Sequence, residues 1–443
     1  MSRALLLILL LADAGYSFFQ HYHVALDGDL APIAAPSEWY AKVLGDPLGL
    51  QALLEGERYA APNRFFAHWT MAQYFRHVPL ALQSFLNPID SVYAAAALAK
   101  TAIQLLLVWL LASYASGRRR ATAKEWLLAA VLITPLFQTF GYNGLMGIID
   151  KSVTYTFFFA LPMGLLLLFF LPFYKKMRMP PPMQAGWAFL ALFLALSGPL
   201  VPGVVLVACL LTLAWQRRAK APISRQQLFF FGLISLLSLY SLYIGTFNAE
   251  QAAQSIPLPE RYLRLPGGLA SLFTLKIGLP LLVFSISVNG ILLRNRSQVF
   301  TQALCWVAIF SLLYLLLLPL GGYRDYRPDI VRRDTMMPVF LGLFFLFGLS
   351  SMALLQLKRW YAAGLGLVLL LFTLADEPGT GHNACEKSAL QTLSRAQESP
   401  VRIPGSCTVM SWEKITAPSM SEWNARMLER WGITEGKVLY VQE

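Results

Sequence analysis

Two stretches of the chain hold residue types that could do chemistry. In LDGDL, Asp27 and Asp29 flank one glycine, and a flexible Asp-Gly-Asp turn can hold a divalent cation or supply a general base for an attacking hydroxyl. In GGYRDYRPDIVRRD, the guanidinium groups of Arg324, Arg327, Arg332 and Arg333 gather in one short segment, and their planar forks suit phosphate oxygens. Lys100 and Lys276 stand inside apolar runs, where a charge is expensive and usually functional. The helical rise puts both on the order of 10 Å below the surface, at the depth of a lipid head group. With the four arginines they predict a phosphate or diphosphate site. Each feature also has a plainer alternative. LDGDL can be a solvated turn, the lysines can snorkel to the interface, and Asp325, Asp329 and Asp334 can close the arginines into a neutral salt-bridged cap. His21, His23, His68 and His77 share a loop with the acidic turn. A metal site there is conceivable, although no recognised ligand spacing is present.

The elements that must position these residues are membrane helices. With 56% hydrophobic and 14% charged residues and a mean hydropathy of +0.53, the 443-residue chain is too apolar for a soluble protein. Since a spanning helix needs about 20 mostly apolar residues, spans are expected at 4–20, 92–115, 124–142, 153–173, 227–247, 269–293, 299–319, 336–355 and 359–375. The run from Trp187 to Trp215 is too long for one helix, and Gly198, Pro199, Pro202 and Gly203 break it. It reads as two short spans, 185–198 and 200–215. The basic loops SGRRRATAK, YKKMRM, WQRRAKAPISR, LLRNRS and QLKRW then all fall on one side, which the positive-inside rule makes the cytoplasm. The expected fold is an all-α polytopic membrane protein of about eleven transmembrane helices, N-terminus in and C-terminus out. The net charge of +12 is mostly these anchors and calls for no nucleic acid. Ala12-Asp13-Ala14 leaves a cleaved signal peptide as the alternative for the first span. No matching halves emerge, which counts against a transporter built from repeats.

Three outer segments are long enough to build something. The first loop, 21–91, should hold a helix capped by Asp46 from Pro47 to about Gly56. A wide aromatic helix through Phe65, Phe66, Trp69, Tyr74 and Phe75 follows, lying in the interface plane or packed on the bundle. The second segment, 245–268, reads as an irregular loop rich in proline and glycine, and the third is the arginine loop, 321–335. Residues 376–443 turn polar and read as a small extracytoplasmic α/β domain. Its expected elements are a helix in NACEKSALQTLSRAQ, a strand at SCTVMSW, a helix in SMSEWNARMLERW and a strand at KVLYVQ. Cys385 and Cys407 are the only cysteines outside the spans, and an outer location permits a disulfide between them. Cys209 and Cys305 fall within spans.

A short first helix, a long outer loop opening on LDGDL, amphipathic helices, many further spans and a later outer GGYRDYRPDIVRRD loop together resemble the GT-C superfamily of integral-membrane glycosyltransferases. The resemblance covers the layout of residues 1–375. It implies transfer of a sugar from a polyprenyl-phosphate or polyprenyl-diphosphate donor to a glycan, lipid or protein acceptor, at the outer face of a bacterial inner membrane. Asp27 or Asp29 would be the base. Arg324, Arg327, Arg332, Arg333, Lys100 and Lys276 would hold the donor phosphate and stabilise charge on the leaving group. No cofactor is implied beyond a possible divalent cation. Two rivals remain: an O-antigen polymerase or ligase, and a flippase or transporter of lipid-linked sugars.

Overall fold

The computed structural model describes residues 2–117, 122–251, 256–321 and 330–443; Arg324, Asp325, Arg327 and Asp329 lie outside the described residues. The described chain is mostly helical, with one sheet of two short strands. Seven of its helices are long and apolar enough to cross a membrane: Arg3–Tyr22, Pro88–Ala115, Val153–Tyr174, Leu200–Arg218, Arg225–Gly245, Gln298–Gly321 and Arg333–Leu357. Leu258–Thr274 and Gly278–Leu293 pass the same test only as a pair bent by 87°, and Pro181–Ala195 and Tyr361–Ala375 are shorter apolar helices. This is the character of a multi-pass membrane protein. Pro88–Ala115 and Arg333–Leu357 are 72% buried and Gln298–Gly321 only 22%, so the first two form the centre of the bundle.

Local chemistry explains the helix ends. The Asn87 side chain accepts from the Asp90 amide at 3.0 Å, with Pro88 in the first turn, where a missing N–H costs nothing. Thr122 and Glu125 form a reciprocal capping box. Polar side chains tie the helices together inside the bundle. Gln104 donates to Ser17 Oγ at 2.9 Å, and Asn289 donates to Ser350 Oγ at 2.9 Å.

The run around Gly198 does divide into two helices, with Gly198 at φ +112° in the turn between them. Two other expected spans are interrupted. The one placed at 124–142 is α-helical only over Ala123–Ile133, followed by a 3-10 turn at Thr134–Leu136. Pro135 has no N–H to continue the helical ladder, and Asp376 accepts from the amides of Thr139, Phe140 and Gly141. The one placed at 269–293 breaks at residues 275–277. Pro280 cannot share a helix with the carbonyl of Lys276, four residues earlier. Lys276 therefore stands exposed at the break between the two helices of the bent pair.

The first loop and the C-terminal segment share one apolar core. Leu30, Ile33 and Phe75 from the loop meet Leu390, Trp431 and Tyr440 from the tail. Trp431 is fully buried and donates through Nε1 to the Phe75 carbonyl at 2.9 Å. The aromatic helix, Phe65–Leu82, packs on the bundle, with Phe66 stacked on Phe193 at 4.7 Å. Asp46 does accept helix-terminal amides, those of Leu50 and Gln51, but the helix starts at Leu50 and not Pro47. In the tail, helices form at Ala384–Ser394 and Glu422–Arg430. The sheet pairs Val401–Ile403 in parallel with Tyr440–Gln442, so no strand forms at 406–412. That stretch is held otherwise, because Cys407 is disulfide-bonded to Cys385 and Met410 adopts a left-handed φ of +47°.

We predict that Trp431→Ala detaches the tail from the first loop. Deleting so large a buried side chain costs about 3–5 kcal/mol, so residues 376–443 should become protease-sensitive in solubilised protein while total helicity by circular dichroism stays unchanged. Equal protease resistance in variant and parent would refute the shared core.

Candidate functional site

Of the charged residues singled out in the sequence, Asp27, Lys100, Lys276 and Arg333 meet on one segment, residues 137–152 between two apolar helices. Asp27 is 5% exposed and all its acceptor positions are occupied. Oδ2 accepts from Ser152 Oγ at 2.9 Å and from the Thr154 amide at 3.1 Å. Oδ1 accepts from Thr154 Oγ1 at 2.7 Å and from the Asp29 amide at 3.1 Å. A carboxylate offers about four lone-pair positions, so Asp27 fastens the acidic turn to the start of Val153–Tyr174. Asp29 is half-buried at the N-terminus of Leu30–Ala34, and of the two acids it is the more exposed. Gly28, between them, has no room for a side chain, since a Cβ there would come within 2.6 Å of the Trp412 backbone nitrogen.

Lys100 is 1% exposed and donates to the Lys151 carbonyl. It neither snorkels nor faces outward, and it lies in the fields of Asp27 and Asp150. Lys276 reaches the same segment from its helix break, donating to the Gly141 carbonyl at 2.9 Å. Arg333 pairs through Nε with Asp150 at 2.5 Å and donates through Nη1 to Asn143 Oδ1 at 3.3 Å. Arg332 makes a two-pronged pair with Asp334, at 3.1 and 2.9 Å. For Arg332 the salt-bridged alternative therefore describes the arrangement, whereas Arg333 turns toward the 137–152 segment.

Lys151 was not foreseen. It is exposed, stands 4.8 Å over the Phe140 ring, and has its pKa lowered by partial burial and then by Arg333 and Lys276. Three cations thus act on one patch beside the acidic turn, offset in part by Asp150 and Asp376, and an anion with several oxygens would meet the positive charge that remains. Asp150 is buried, and burial pushes its carboxyl above the usual range against the pull of Arg333. The sequence signal for both was the Asp-Lys pair in IIDKS, a short polar interruption between two apolar runs. The histidines do not gather. His21 meets Gln104, His23 binds the Phe19 carbonyl and His68 the Arg64 carbonyl, while His77 is exposed. Among the described residues, no group of three or more His, Cys, Asp or Glu side chains is placed to hold a metal ion.

Glu386 ties the tail to this site from the other side. It is 1% exposed. Oε2 accepts from the Leu26 amide at 2.8 Å and from Tyr93 Oη at 2.7 Å, and Oε1 accepts from the Met410 amide at 2.8 Å. Burial outweighs these donors and raises its pKa from 4.5 to about 7. No family model matches the chain, and no curated protein matches it.

A pH dependence follows. Because the folded pKa of Glu386 lies above its unfolded value, the folded state holds more protons between pH 4.5 and about 7. Its contribution to stability is therefore complete below pH 4.5 and falls as pH rises through about 7, by on the order of 3 kcal/mol. Protease protection of the tail should weaken over that window, and the slope should be smaller in Glu386→Gln. An identical slope in the variant would assign the effect to other groups.

Proposed function

We propose that this chain is a membrane glycosyltransferase of the GT-C type that takes its sugar from a polyprenyl-phosphate or polyprenyl-diphosphate donor. The observation that carries the reading is the meeting of Arg333, Lys276 and Lys151 on one segment, beside the Asp27-Gly28-Asp29 turn and at one end of an apolar bundle. The seven long helices, the bent pair, the two shorter apolar helices and Ala123–Ile133 with its 3-10 turn support about eleven crossings. With the basic loops in the cytoplasm, the site and the tail lie outside, at the outer face of a bacterial inner membrane.

In this reading Asp29 is the general base and Asp27 its anchor. Asp29 takes the proton of the acceptor hydroxyl as that oxygen attacks the anomeric carbon. The bond from that carbon to the phosphate oxygen breaks, and its electron pair stays on the phosphate, where Arg333, Lys276 and Lys151 stabilise the charge. Lys100 acts from below, by holding the backbone that carries Lys151. A lipid donor accounts for a phosphate site among helices, and the one-sided placing of the cations favours an enzyme over a flippase.

The test is purified protein in nanodiscs, titrated with a polyprenyl-phosphate sugar and assayed for transfer. Asp29→Asn should abolish transfer and leave donor binding nearly intact. Lys276→Ala or Lys151→Ala should weaken donor binding about 10- to 150-fold, the equivalent of a charged hydrogen bond of about 1.5–3 kcal/mol. Parent-like donor binding in both lysine variants would refute the phosphate site, and transfer by Asp29→Asn would refute the base.

A further inference from the structure

The tail presents one aromatic side chain that its own core does not use. Trp431 and Tyr440 are fully buried, and Trp423 packs on the tail core with Arg426 over its ring at 4.5 Å. Trp412 is 53% exposed. Its indole leaves a large, flat apolar surface open, with an N–H at its edge that can donate a hydrogen bond.

The backbone that carries Trp412 is braced at several points. Cys407 is disulfide-bonded to Cys385. The Met410 amide donates to Glu386 at 2.8 Å and its carbonyl accepts from Asn424 at 3.1 Å. The Glu413 amide donates to Ser411 Oγ at 3.3 Å. Such bracing fixes a side chain's position in advance and lowers the entropy lost when something binds it. The place it fixes is the acidic turn, since Gly28 sits directly against Trp412. On the far side Tyr155, half-buried, holds its ring 6.0 Å from the indole and inclined by 34°. Its amide donates to Ser152 Oγ, the hydroxyl that donates in turn to Asp27.

We propose that Trp412 and Tyr155 form a platform for a pyranose ring, and that this is where the sugar acceptor lies while Asp29 reaches its hydroxyl. A pyranose has one face of C–H bonds that is apolar enough to lie on an indole and a rim of hydroxyls that need polar partners. An exposed tryptophan beside a carboxylate turn offers both. The proposal rests on the transferase reading for its orientation toward Asp29, but the platform itself can be tested without transfer. It makes the acceptor a glycan, in preference to a bare lipid or a peptide, and gives the C-terminal segment the task of holding it.

Saturation-transfer NMR on protein in nanodiscs, with cellotriose, chitotriose and maltotriose as probes, tests this. At least one trisaccharide should receive saturation from the parent protein. Trp412→Ala should weaken that binding by roughly tenfold, as expected for loss of an aromatic stacking partner, and Tyr155→Ala by a smaller factor. Trp412→Phe should restore most of it, which a merely structural role for an exposed residue would not require. No binding of any probe to the parent, or equal binding by Trp412→Ala, would overturn the platform. Tryptophan-dependent sugar binding without any polyprenyl-phosphate binding would keep the platform and remove the transferase reading, and the reverse pattern would do the opposite.

Discussion

A fully buried ammonium in an apolar bundle is tolerated only where opposite charge and hydrogen-bond acceptors meet it. Lys100 sets that constraint here. Its partners are the Lys151 carbonyl and the fields of Asp27 and Asp150, so the 137–152 segment must fold back over the centre of the bundle to supply them. Asp150 is then held from above by Arg333. Lys100 and Arg333 belong to the two most enclosed helices, which therefore grip one loop from both sides. Removing one member of such a buried pair leaves an unmatched charge, at a cost of about 3–5 kcal/mol. The position of Lys151, and with it the cationic patch, follows from this grip and not from any preference of the loop itself.

The acidic turn is likewise held from two directions. Ser152 and Thr154 bind the Asp27 carboxylate, while Glu386 accepts the amide of the preceding Leu26. One side of the turn thus depends on a transmembrane helix and the other on the tail. The tail's core is continuous with that of the first loop through Phe75 and Trp431. Residues more than three hundred positions apart in sequence consequently meet around Gly28, whose lack of a side chain is what lets the Trp412 backbone approach.

How much of this was legible depended on range. Membrane character, the break at Gly198 and the pairing partners Cys385 and Cys407 could be read, because apolar runs, proline and glycine, and the exclusion of cysteines from spans are local or compositional signals. The helix expected to carry Lys276 is interrupted at that residue, where Pro280, four residues on, cannot share a helix with its carbonyl. A strand was expected at 406–412 on propensity, but side chains of Glu386 and Asn424 take the Met410 backbone groups that a strand would use. Lys151 is marked in sequence only by the Asp-Lys pair of IIDKS, and nothing in its own neighbourhood marks Asp376. Their importance comes from partners such as Arg333 and the amides of 139–141, which only the fold brings near.

The two aspartates of LDGDL look interchangeable in sequence, and the fold separates them. A carboxylate that already accepts four hydrogen bonds would have to give one up before it could take a proton from an acceptor hydroxyl, and each such bond to a charged group is worth about 1.5–3 kcal/mol. Asp27 is in that position. Asp29 donates its backbone amide to Asp27, so the anchored acid fixes the backbone from which the more exposed acid projects. An Asp-Gly-Asp sequence then has a physical logic. The first acid holds the turn to the start of Val153–Tyr174, the glycine admits the tail's backbone, and the second is the more exposed of the two acids.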